Sequence, residues 1–175
     1  MLEQSEKLAK SVARQSIRSL ASRKQVLPLS ENREVLAVML RPHQSHLDPN
    51  ELPFGGFLRD LLANCEYQEL GPQATEDDYS QTIKRGLAAE QVVILMVVKP
   101  AAWYRFGLLP EQDSFVRELT GRRDCVLVSL GSPVALENYA DASELICAYS
   151  DVFVSQAALC EYLCDVTTGQ SNQRF

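Results

Sequence analysis

Val92-Val93-Ile94-Leu95-Met96-Val97-Val98 is apolar at all seven positions and stops at Lys99-Pro100. A strand with one wet face alternates apolar and polar side chains, whereas a strand covered on both faces has no reason to alternate. This short continuous run therefore reads as a strand lying between two helical layers. Three more runs share its character: Val35 to Leu40, stopped by Pro42, then Val126 to Leu130 and Leu145 to Tyr149. A weaker strand is expected at Tyr67 to Leu70.

Helical patterns fill the intervals. Phe54, Phe57, Leu58, Leu61 and Leu62 make one apolar stripe, introduced by Gly55-Gly56, which reads as a tight turn. Tyr79, Ile83 and Leu87 make a second stripe behind Glu76-Asp77-Asp78, acids that suit the positive end of a helix dipole. Phe115, Val116 and Leu119 follow Pro110-Glu111 and end near Gly121, while Val154, Ala158, Tyr162 and Leu163 form the last stripe. The first ~25 residues read as one amphipathic helix carrying Leu8, Val12, Ile17 and Leu20, ended by Val26-Leu27-Pro28-Leu29. Strands alternating with helices predict an α/β fold, a three-layer αβα sandwich with a mostly parallel central sheet of flavodoxin-like or Rossmann-like topology. Residues 1–166 are expected to form this single domain, and the polar 167–175 a C-terminal tail.

Composition narrows the function. The chain has 175 residues, 46% of them hydrophobic and 23% charged, and a net charge of −6. A negative background field disfavours a phosphate backbone, so Lys7, Lys10, Arg14, Arg18, Arg23 and Lys24 read as the wet side of a helix and no nucleic acid partner is expected. No apolar run approaches the ~20 residues that span a bilayer, so no membrane partner is expected. Met1-Leu2-Glu3-Gln4-Ser5-Glu6 is polar where a signal peptide is apolar, and the five cysteines are odd in number and sit in apolar segments. Both features predict a cytoplasmic protein with reduced thiols.

Ligands of such a sheet meet the carboxyl ends of its strands. Three polar loops lie there: Arg41 to Glu51, long for a βα connection, Lys99 to Gly107, and Gly131-Ser132-Pro133 together with Ser150-Asp151. His43 and His46 with Asp48 or Glu51 invite a metal reading, yet no paired motif such as HExxH is present, and solvated loop histidines fit better. Asp48 and Glu51 could also serve as an acid–base pair, but a turn aspartate before Pro49 and a glutamate at the start of a helix is the plainer account. Trp103, Tyr104 and Phe106 around Arg105 either pack inside the domain or present rings to a sugar or a partner. Gly55-Gly56 lacks the GxGxxG spacing of a dinucleotide site, Ser132 lacks the GxSxG elbow, and Cys160 and Cys164, one helical turn apart, fit small buried side chains better than a metal or redox pair. The expectation is no catalytic residue, no metal and no cofactor. His43, His46, Asp48, Trp103, Arg105, Ser132 and Asp151 remain as candidate cleft or domain-contact residues.

Three stretches carry a resemblance. Ala13-Arg14-Gln15-Ser16-Ile17-Arg18-Ser19-Leu20, followed by Val26-Leu27-Pro28-Leu29, is the first. Leu109 through Leu119, leading into Cys125-Val126-Leu127-Val128-Ser129-Leu130-Gly131-Ser132-Pro133, is the second. The third runs from Tyr139-Ala140-Asp141-Ala142 through Ala148-Tyr149-Ser150 to Ser155-Gln156-Ala157-Ala158 and Leu163. In this order they resemble the C-terminal domain of family 3 glycoside hydrolases, above all the β-N-acetylhexosaminidase-like branch. Val134 stands where that family often has tyrosine, and Cys164-Asp165 replaces its closing Phe-Gly. The resemblance implies a separate catalytic barrel, fused or not, of roughly twice this length, which bears the aspartate nucleophile and, in the hexosaminidase-like branch, a His-Asp acid–base pair; other branches place the acid–base glutamate on this second domain, and no stretch here matches that motif. It implies that this chain alone is a non-catalytic domain that packs on the barrel and shapes one wall of a carbohydrate cleft; the apolar stripe of the first helix and the Trp103–Phe106 segment are the candidate contacts. Two rivals stand beside it: a freestanding ligand-binding or interaction protein, and a small hydrolase using the His43–Glu51 loop.

Overall fold

The computed structural model describes residues 2–44, 46–47, 51–98 and 107–165. Helix α1 (Leu2–Ser16) leads into strand β1 (Arg18–Ser22), then β2 (Val35–Leu40), α2 (Phe54–Leu61), β3 (Cys65–Leu70), α3 (Glu76–Ala88) and β4 (Gln91–Met96). Helix α4 (Pro110–Arg122), β5 (Cys125–Ser129), a 3-10 turn (Pro133–Leu136), β6 (Glu144–Cys147) and α5 (Phe153–Leu163) complete the described chain. The six strands form one sheet in the order β1-β6-β5-β4-β2-β3, parallel except for β1, which runs antiparallel to β6.

The continuous apolar runs are explained by what covers them. Leu36, Val38, Leu40, Val92, Ile94, Met96 and Leu127 pack beneath Tyr79, Phe115 and Leu119, on the side of α3 and α4. Their neighbours in sequence, Val35, Ala37, Met39, Val93, Leu95, Val126 and Val128, pack beneath Phe54, Leu58, Leu159 and Leu163, on the side of α2 and α5. Period-two side-chain alternation thus serves two cores, one on each face of the sheet. From β2 the chain moves outward to β3 through α2, then reverses across β2 to β4 through α3. Crossovers of one hand that travel in opposite directions lay their helices on opposite faces, and the reversal leaves a crevice between β2 and β4. Taken without β1, the parallel strands follow the flavodoxin-like order.

Two local readings change. The N-terminal helix ends at Ser16, and Arg18–Ser22 is a strand, so Ile17 and Leu20 do not continue the stripe of Leu8 and Val12. Pairing with the open edge of β6 outweighs the local helical pattern: Arg18 faces Cys147 and Ser22 faces Glu144, with a register shift between Ser19 and Ala21. Gly55-Gly56 is not a turn but the first part of α2. A Cβ on Gly55 would stand 2.3 Å from the Tyr67 ring, so glycine here lets the helix lie directly on β3.

Candidate functional site

Among the described residues, the carboxyl edge of the sheet is organised by side chains that bind backbone. Arg41, just past β2, is buried and pairs with Glu69 at 2.8 Å. Glu69 also accepts from the Tyr67 hydroxyl at 2.7 Å and from the Leu52 amide at 2.5 Å, which pins the end of the β2–α2 connection against β3. Burial, and then the hydrogen bond to Glu69, push the Tyr67 phenol well above its ordinary range. On the far side, buried Gln156 in the first turn of α5 accepts from the Phe54 amide at 3.0 Å and donates to the Asp151 carbonyl at 2.6 Å. One amide side chain therefore holds together the starts of α2 and α5 and the loop after β6. Gln112 does the same work for α4, donating to the Leu70 carbonyl at 2.9 Å and accepting from the Leu109 amide at 3.2 Å.

The loops that meet at this edge approach closely. A Cβ on Gly131, after β5, would stand 1.8 Å from the Val98 carbonyl oxygen, after β4, so only glycine fits there. Tyr149 closes β6 with φ 59, a left-handed conformation that costs a bulky side chain about 1–2 kcal/mol, and half of the residue is exposed.

Of the residues expected in the site, His43 and His46 are exposed on the loop after β2. Ser132 follows β5, where its hydroxyl accepts from the Val134 amide at 3.3 Å and caps the 3-10 turn. Asp151 is half-buried after β6, with its carbonyl engaged by Gln156. Asp48, Trp103 and Arg105 lie outside the described residues, as do Tyr104, Phe106 and the 167–175 tail. The four described residues thus share one edge, above strands β2, β5 and β6. Glu51 pairs with Arg59 at 2.9 Å, and Glu69 is occupied as above, so two carboxylates of this edge are committed to structure. No three His, Cys, Asp or Glu side chains gather as metal ligands among the described residues.

Glu69, Gln112 and Gln156 had not been singled out from sequence as site-building residues. A signal existed for two of them: Gln112 and Gln156 are polar residues set inside the apolar patterns of α4 and α5. Glu69 carries no local mark, because Arg41 is 28 positions away.

A separate feature lies on the outer layer. Helix α1 packs on α5, where Lys10 meets Glu161 at 2.5 Å. Leu8 and Val12, one turn apart, remain 66% and 58% exposed. With Ala9, Ala13 and Val154 they line a shallow depression of about 540 Å³. At its end Val152 and Phe153 are also exposed, and the Phe153 ring stands edge-on to Phe57 at 4.9 Å. These apolar side chains group on one helix face and the adjoining start of α5.

The fold and its edge define a doubly wound α/β sandwich with an added N-terminal helix and antiparallel edge strand. Solved glycosidases contain this architecture. A family 3 β-N-acetylglucosaminidase from Paenibacillus sp. is similar with a TM-score of 0.72 and 20% identity, over 89% of this chain and 29% of that one. A β-glucosidase from Listeria innocua is similar with a TM-score of 0.75 and 12% identity, over 94% of this chain and 26% of that one. A family 3 β-glucosidase from Bifidobacterium adolescentis gives a TM-score of 0.68 and 13% identity, over 94% and 27%. The chain therefore spans between a quarter and a third of the length of each of these enzymes, and at these identities the likeness is one of fold. No protein-family model matches the sequence, and no curated protein matches it. No described helix is long and apolar enough to cross a membrane.

Proposed function

We propose that this chain is the non-catalytic C-terminal α/β domain of a family 3 glycoside hydrolase of β-N-acetylhexosaminidase or β-glucosidase type. It packs on a catalytic barrel, fused to it or separate, and shapes one wall of the carbohydrate cleft. The observation that carries this reading is the extent of the structural match: nearly all of this chain on about a quarter of each glycosidase. The three sequence stretches that resemble the family support it independently, since they run in the same order from α1 to α5.

In this role residues 1–166 act as one domain. The apolar face of Leu8 and Val12, with Val152 and Phe153, is the contact with the barrel. His43, His46, Asp48, Trp103, Arg105, Ser132 and Asp151 border the cleft. The cysteines, all five unpaired, support a reducing compartment, and we assign the protein to the cytoplasm. In the hexosaminidase-like form of this reading the barrel supplies both the aspartate nucleophile and the His-Asp acid–base pair.

The test uses the purified chain with and without a family 3 barrel. Chromogenic N-acetylglucosaminide and glucoside should not be turned over by the chain alone. Co-expression with the barrel should give a stable complex whose KM for the glycoside differs from that of the barrel by itself. Turnover by the chain alone, or a barrel that neither binds it nor changes its KM, overturns the proposal.

A further inference from the structure

At the opposite, amino-terminal edge of the sheet lies an open basin of about 850 Å³. It is built where β1 leaves β6, where the chain enters β2, β4 and β6, and where α4 turns into β5. Five cationic side chains line it: Arg23, Lys24, Arg33, Arg122 and Arg123. Three acids, Glu90, Asp124 and Asp141, accompany them. The local excess of two positive charges stands against a chain of net charge −6.

Part of this charge is spent on structure. Lys24 pairs with Asp124 at 2.6 Å, and Arg122 with Glu118 at 2.9 Å. Arg122 and Arg123 also close α4, where cations offset the negative end of the helix dipole. Arg23 and Arg33 have no such explanation, because neither belongs to a helix and neither makes a side-chain hydrogen bond or ion pair among the described residues. Arg123 adds a third guanidinium to the lining, with its Nη1 donating to the Leu87 carbonyl at a long 3.4 Å. The walls offer little to an apolar ligand, with Val26 and Gly121 the only hydrocarbon or glycine positions in the lining. Gln91, also at the wall, is committed to holding the 26–30 segment, donating to the Val26 carbonyl at 2.8 Å and accepting from the Ser30 amide at 2.9 Å.

We infer that this basin binds a small multiply charged oxyanion of the phosphate type, held by the guanidinium groups of Arg23, Arg33 and Arg123. Planar guanidinium forks suit such oxygens, and a concave cationic wall concentrates anions against the repulsion of the whole chain. The inference does not depend on the glycosidase reading, since the basin lies at the edge away from the candidate cleft.

Inorganic pyrophosphate is the probe, titrated calorimetrically into the 175-residue chain at low ionic strength. Saturable binding to one site is expected, weakened at least about tenfold in the double variant R23Q/R33Q, whose two positions are exposed and whose melting should match the parent. The variant K7Q/K84Q, which removes the same formal charge elsewhere, should retain the parent affinity. Absence of saturation in the parent, unchanged affinity in R23Q/R33Q, or equal weakening in K7Q/K84Q overturns the inference.

Discussion

Glu69 shows how much one side chain can hold. Its side chain is 12% exposed, and its carboxylate serves the Arg41 guanidinium, the Tyr67 hydroxyl and the Leu52 amide together. Breaking a buried pair leaves its partner's charge unmatched, so Glu69→Ala should destabilise the domain by about 3 kcal/mol, read from urea unfolding. It should also loosen the β2–α2 connection, seen as faster amide exchange at Leu52. Asp113 makes a different kind of prediction. Burial raises its pKa, but the hydrogen bonds from Arg117 and Tyr139 and the guanidinium charge outweigh it, and the carboxyl lies below its ordinary 3.8. A depressed folded-state pKa contributes stability that is present above the unfolded value and lost as pH falls through the folded one. Melting temperature should therefore fall on acidification from about pH 5 downward, and Asp113→Asn should flatten part of that fall while lowering stability at neutral pH.

At the scale of elements, α1 and β1 are the additions to an otherwise flavodoxin-like sheet. Strand β1 covers the edge of β6, which would otherwise present unpaired backbone groups. Helix α1 contributes little to the core, as most of its described residues are exposed, yet it keeps Leu8 and Val12 on one face. Leu8→Glu with Val12→Glu should shift the stability of the isolated chain by no more than about 0.5 kcal/mol per site, since exposed positions tolerate change. The same pair should abolish association with a barrel, measured by co-purification. A large loss of stability in the isolated chain would mean that the face packs within the domain instead.

For the whole molecule, the cysteines give a chemical readout of packing. Burial raises all five thiols, with Cys65 and Cys125 pushed up to about 12 and Cys164 to about 11. Only the thiolate attacks an aromatic disulfide reagent, so labelling of the folded chain at pH 8 should run at least about a hundredfold slower than labelling in denaturant. Rapid labelling of one thiol in the native state would mark a local opening. What the sequence determined by itself was the layered architecture. Runs apolar at every position require cover on both faces, and the stripes between them supply it, so the existence of β2, β4, β5 and β6 and of the helices between them follows from short-range pattern alone. Tertiary structure decided what depends on distant residues meeting: the conversion of Arg18–Ser22 from helix to strand by the edge of β6, the seating of Gly55 against Tyr67, the Arg41–Glu69 pair and the cationic basin. Each of these joins groups far apart in the chain, and no local periodicity encodes such a meeting.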